Sequence, residues 1–76
     1  MSRTRNERLE SREALFNFIV DYQGDHGYPP KYREMEAATG IPISNVKYHL
    51  DVLVEMGRIE RIPGSPRAIK VLAVGG

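Results

Sequence analysis

The 76-residue sequence contains no cysteine. Disulfides and thiolate metal sites are therefore excluded as sources of stability. No apolar run approaches the length of a membrane span, and the N-terminus lacks the apolar centre of a signal peptide. A cytoplasmic protein is expected. Aromatic residues make up only 8% of the chain, and there are two histidines, His26 and His49. The charges nearly balance, with eleven basic residues against ten acidic and a net charge of +1. So short a chain has room for one domain and one core, close to the lower limit for folding alone.

What is present is unevenly placed. Between residues 58 and 70 there are four basic residues (Arg58, Arg61, Arg67, Lys70) and one acidic (Glu60), a local charge of +3. The other positions hold seven basic and nine acidic residues, or −2. The pattern reads as a basic C-terminal edge on a nearly neutral body, with ordinary surface charge as the plainer alternative.

The stretch from Gly40 to Gly57 organises the rest. It reads as a tight turn followed by one helix, with Ser44 expected as its N-cap and Gly57 as its stop. Val46, Leu50 and Leu53 recur at helical spacing and predict a buried face, with His49 half-buried beside them. The opposite face of the first two turns carries Ser44, Asn45, Lys47, Tyr48 and Asp51, side chains that donate, accept, stack and neutralise charge. A polar helix start after a tight turn suits a helix that enters a nucleic-acid groove.

Residues 1–8 are expected to form a flexible charged arm, although Thr4-x-x-Glu7 also fits a capping box that would start a helix there. From Ser11, the stripe of Leu15, Phe16, Phe18, Ile19 and Tyr22 predicts a long core helix. The two phenylalanines are read as core packing, not as a platform for bases. Gly24 and Gly27 weaken the helix end, and Tyr28-Pro29-Pro30 stops it in an extended corner that leaves His26 in a loop. Residues 31–39 predict a short helix with Met35 and Ala38 inward. Lys31 stands where a capping oxygen is preferred, an unfavourable choice that becomes useful if an external phosphate binds there. After Gly57 the period shortens. Residues 58–62 and 68–72 alternate as strands, and Pro63-Gly64-Ser65-Pro66-Arg67 is the turn of a basic-tipped hairpin. Residues 74–76 are a ragged tail.

Catalysis finds little support. Two histidines without cysteine make no usual zinc site, and no carboxylate pair stands at ligand spacing. Ser44 has no base placed for it and is better explained as a cap. No enzyme activity, cofactor, metal or small-molecule ligand is expected.

Three helices followed by a two-stranded hairpin is the order of a winged helix-turn-helix, a mainly α fold with a small β-hairpin occupying residues 9–73. The resemblance becomes specific in Gly27-Tyr28-Pro29-Pro30, Arg33-Glu34-Met35, Asn45-Val46-Lys47-Tyr48-His49-Leu50 and Glu55-Met56-Gly57-Arg58-Ile59-Glu60. Together these segments resemble the DNA-binding domain of LexA-type repressors. The resemblance implies binding of double-stranded DNA as a transcriptional regulator. It implies that Ser44, Asn45, Lys47 and Tyr48 start the recognition helix and read bases. Lys31, Arg33, Arg67 and Lys70 are then expected to contact phosphates, with Arg67 at the wing. Three departures stand out. Glu36 replaces a usual alanine, so the two helices cross more loosely or the acid turns outward. Lys31 replaces a usual threonine cap, and the turn before Ser44 is about one residue short of the family's pattern. In the family a self-cleaving domain with a serine–lysine pair follows. This chain stops after the wing, so it is either a fragment or a stand-alone module. Dimerisation would come through a missing domain or on DNA. The rival expectations are a protein-docking winged helix, using Tyr48, Val52 and the hairpin edge, and an accessory module of a nucleic-acid-processing complex.

Overall fold

The computed structural model describes residues 3–64 and 69–72, with side chains from residue 9 onward. Helices α1 (Arg3–His26), α2 (Tyr32–Thr39) and α3 (Ile43–Glu55) precede strands β1 (Ile59–Arg61) and β2 (Ile69–Val71). The strands pair antiparallel in the register Ile59↔Val71, Glu60↔Lys70, Arg61↔Ile69. This is a winged helix-turn-helix.

Helix α1 reaches back to Arg3, so its backbone is helical through most of the segment expected to be an arm, and Thr4 lies inside the helix. Leu15 and Ile19 are fully buried and Phe16 nearly so, while Phe18 and Tyr22 are half-buried at the side of that stripe. The helix ends at His26, with Gly27 at φ 82° and its amide on the Gln23 carbonyl at 2.8 Å. His26 is therefore the last helical residue, not a loop residue, and its ring stacks on Tyr22 at 3.9 Å.

Helix α2 buries Met35 completely. Ala38, expected beside it, is exposed, and the half-buried position is Thr39. The inward stripe runs from Tyr32 through Met35 to Thr39, a spacing of three and then four that passes Ala38 by. Thr39 Oγ1 donates to the Met35 carbonyl at 2.6 Å and accepts from the Ile41 amide at 3.2 Å, which starts the turn into α3.

Helix α3 buries Val46, Leu50 and Leu53 entirely. His49 is 4% exposed, more deeply placed than the half-burial expected of it. Gly57, at φ 77°, stops the helix: its amide bonds the Val54 carbonyl and the Arg58 amide bonds the Leu53 carbonyl, both at 3.0 Å. Such a closure needs a left-handed residue, which a side chain makes costly. Ile59 and Ile69 then carry the core from α3 onto the hairpin, with 1% and 2% of their surfaces exposed.

Candidate nucleic-acid interface

The recognition helix begins two residues earlier than its sequence suggests. Its N-cap is Pro42, extended at φ −56° and ψ 149°, whose carbonyl accepts the Val46 amide at 2.9 Å. Ser44 is therefore a first-turn residue and makes no capping bond. The capping oxygen comes from elsewhere. Glu36 Oε2, at the last full turn of α2, accepts the Ile43 amide at 3.2 Å. A carboxylate at this end also complements the positive end of the helix dipole. The acid turns outward and spans the helix-turn-helix corner, which accounts for a charged residue where the family pattern has alanine.

Released from capping, Ser44 is exposed, as are Asn45 and Lys47, and Tyr48 keeps 52% of its surface in solvent. Lys47 and Tyr48 lie three and four residues after Ser44, Asp51 four and three after them, and Glu55 four after Asp51, so these residues line one face opposite the core. Asn45 lies at the edge of that face. Its first two turns are polar or basic. Its last two carry the acids Asp51 and Glu55, both exposed. Only the N-terminal half of the helix is thus chemically suited to a polyanion.

The candidate phosphate contacts are distributed around it. Lys31 is the N-cap of α2 and is exposed, as is Arg33 two residues on. Lysine has no acceptor to offer a first-turn amide, so only the reciprocal half of a capping box forms. Glu34 Oε1 accepts the Lys31 amide at 2.6 Å. The same carboxylate, through Oε2, accepts the Tyr22 hydroxyl at 2.7 Å and ties α2 to α1. Lys70 is exposed on β2, directly opposite Glu60. Arg67 lies outside the described residues.

Of the three described basic residues of the C-terminal edge, Arg58 and Arg61 are engaged within the domain. Arg58 Nη1 donates to Glu13 Oε2 of α1 at 2.7 Å, with its guanidinium 4.9 Å from the centre of the Phe16 ring. Arg61, which the sequence did not single out as a site residue, donates from Nη2 to Asp51 Oδ1 and from Nη1 to the Tyr32 hydroxyl at 3.2 Å. The hydrogen bond to Asp51, and next that to Tyr32, raise the Arg61 pKa above the ordinary arginine value, outweighing an opposing push from burial. Lys47 Nζ stands 5.8 Å from the centre of the same Tyr32 ring, within cation–π range. Lys47, Tyr32, Arg61 and Asp51 thus form a continuous polar chain across α2, α3 and β1. The alternation of the hairpin was the available signal. Ile59 and Arg61 fall on one face, and Ile59 is core.

Among the described residues, no group of three or more His, Asp or Glu side chains is arranged to hold a metal ion. No helix among them is long and apolar enough to cross a membrane.

The chain matches the family model of the LexA DNA binding domain over residues 7–68. It is 38% identical over 63 residues to a LexA repressor of Limosilactobacillus reuteri, an alignment covering 82% of this chain and 30% of that protein. Over 66 residues it is 42% identical to a LexA repressor of Clostridium tetani, covering 86% and 33%. A LexA repressor of Staphylococcus aureus is 35% identical over 68 residues, covering 88% and 33%. The chain spans about a third of the length of the curated relatives it matches. With the three-helix, two-stranded architecture and the exposed polar start of α3, these matches place the chain in the LexA DNA-binding-domain family.

Proposed function

We propose that the domain binds duplex DNA sequence-specifically, as the DNA-reading part of a LexA-type transcriptional repressor. The observation that carries this reading is the division of α3. Val46, His49, Leu50 and Leu53 are buried, while Ser44, Asn45, Lys47 and Tyr48 are presented together on its first two turns. A helix exposed in this way can lay its N-terminal residues against base edges in the major groove. Asn45 suits adenine, Lys47 suits guanine, Ser44 either, and Tyr48 adds an apolar ring with a hydroxyl. Lys31, Arg33, Lys70 and Arg67 hold the domain on phosphates and set its register.

The function is binding without catalysis by this domain. Dimerisation occurs on DNA or through a further domain, and a cytoplasmic location accords with action on DNA. The family match weighs against the protein-docking and accessory-module alternatives.

The test separates reading from holding. Sites are selected from a random duplex library with the 76-residue chain, and selected and random duplexes are then titrated at two salt concentrations. Wild type should show a log–log salt slope of about −3 to −4, for three or four neutralised phosphates. Asn45→Ala and Lys47→Ala should each lose about 1–3 kcal/mol of preference for the selected site. Lys31→Ala should weaken both duplexes alike and lower the slope by about one. Affinity indifferent to salt, or preference untouched by both helix variants, would refute the assignment.

A further inference from the structure

We propose that Arg61 is a positioning residue of the duplex-binding surface, holding the base of the wing against the recognition helix and masking the charge of Asp51. The inference rests on the duplex-binding function proposed above.

The hairpin register places the residue. Arg61 pairs with Ile69, and opposed residues of an antiparallel pair share a face. Since Ile69 is buried against the helices, Arg61 leaves the hairpin on the helix side, while Glu60 and Lys70 leave on the other. At the rim of the core its guanidinium meets Asp51 from α3 and the Tyr32 hydroxyl from the first residue of α2. Two acceptors on two different helices suit the planar fork of arginine, which a lysine ammonium cannot match in geometry. Arg61 thus joins three elements at one point.

Asp51 makes that junction matter for binding. Its side chain is 65% exposed and lies on the α3 face shared with Lys47 and Tyr48. A carboxylate there would face the polyanion that the first two turns are suited to meet, and like charges across an interface oppose association. Paired with Arg61 it is locally neutral. The arrangement extends to Lys47, whose ammonium stands over the Tyr32 ring that Arg61 anchors through its hydroxyl. Losing Arg61 would uncover a negative charge and release the ring beside a base-facing cation.

The direct alternative is that Arg61 contacts phosphate itself, and a double-mutant cycle separates the two. Wild type, Arg61→Ala, Asp51→Asn and the double variant are titrated against selected and random duplexes, below the melting temperature of all four. Arg61→Gln, which keeps donors but no charge, is included in case the alanine variant fails to fold. Arg61→Ala or Arg61→Gln should weaken both duplexes on the order of tenfold. Asp51→Asn should restore most of that loss in the Arg61-substituted background, and change wild-type affinity by less than about threefold. Equal gains from Asp51→Asn in both backgrounds would mean that Arg61 does not act through Asp51. Unchanged affinity on losing Arg61 would equally overturn the proposal. Failure of wild type itself to bind any duplex would instead refute the function on which it rests.

Discussion

The joint between α1 and α2 and the joint between α3 and β1 do similar structural work with different chemistry. At the first, the Tyr22 hydroxyl donates to Glu34 in a part-buried hydrogen bond. The Tyr22 ring lies 5.7 Å from Phe18, 3.9 Å from His26 and 6.0 Å from Tyr28. At the second, an exposed guanidinium meets an exposed carboxylate and a hydroxyl. Rings packed around a part-buried charge-assisted bond make a joint less open to water and salt. An exposed ion pair makes one that ions can loosen. The joint at the start of α2 is of the first kind, and the joint beside the proposed base-reading face of α3 is of the second.

Both joints rest on one core, so the largest effect comes from breaking the core itself. Leu50 is fully buried at the centre of α3. Leu50→Ala should cost about 2–5 kcal/mol, a large share of the stability available to so small a domain. A melting temperature near wild type would mean that α3 is phased differently, and the assignment of its exposed face would fall with it.

The difference between the joints also explains what could be read from the sequence. Periodicity placed Leu15, Ile19, Val46, Leu50 and Leu53 in the core because burial repeats with the helical turn. Gly57 was legible as a stop because few other residues take its conformation. The Ser44 cap failed for a tertiary reason. Glu36, seven residues before Ile43, supplies the oxygen instead, and local spacing carries no trace of that reach. Ala38 was misplaced because an eight-residue helix offers too few turns to phase its inner stripe. Of the site residues, the exposed start of α3 followed from pattern. The role of Arg61 did not, since it depends on the hairpin register and on where Tyr32 and Asp51 meet.

The next effect down tests the packed joint. Tyr22→Phe keeps the ring contacts but removes the hydroxyl that Glu34 accepts. Hydrogen bonds to charged groups contribute about 1.5–3 kcal/mol. Glu34 still accepts the Lys31 amide in the variant, which favours the lower end of that range. Thermal unfolding should therefore shift downward, and by the same amount in low and high salt. A shift that vanished in high salt would show this joint to be electrostatic after all.

The smallest effect tests the exposed joint by the same measurement. Asp51→Asn removes the charge that Arg61 pairs with and leaves an acceptor of nearly the same shape. The two side chains are 40% and 65% exposed, and pairs in such settings contribute at most about 1 kcal/mol to stability. Titration of Arg61 does not enter near neutrality. A raised folded pKa gives stability that is fully present below the unfolded value and is lost only as pH rises through the folded one, in strong alkali. Ionic strength is therefore the useful variable. Screening over about 10 Å at 0.1 M salt, and about 3 Å at 1 M, should shrink whatever the pair contributes. The melting temperatures of wild type and Asp51→Asn should differ slightly at low salt and converge at high salt, while the Tyr22→Phe difference persists. A salt-independent loss in Asp51→Asn as large as that in Tyr22→Phe would erase the distinction between the joints. The wing would then be fixed to the recognition helix as firmly as α2 is to α1.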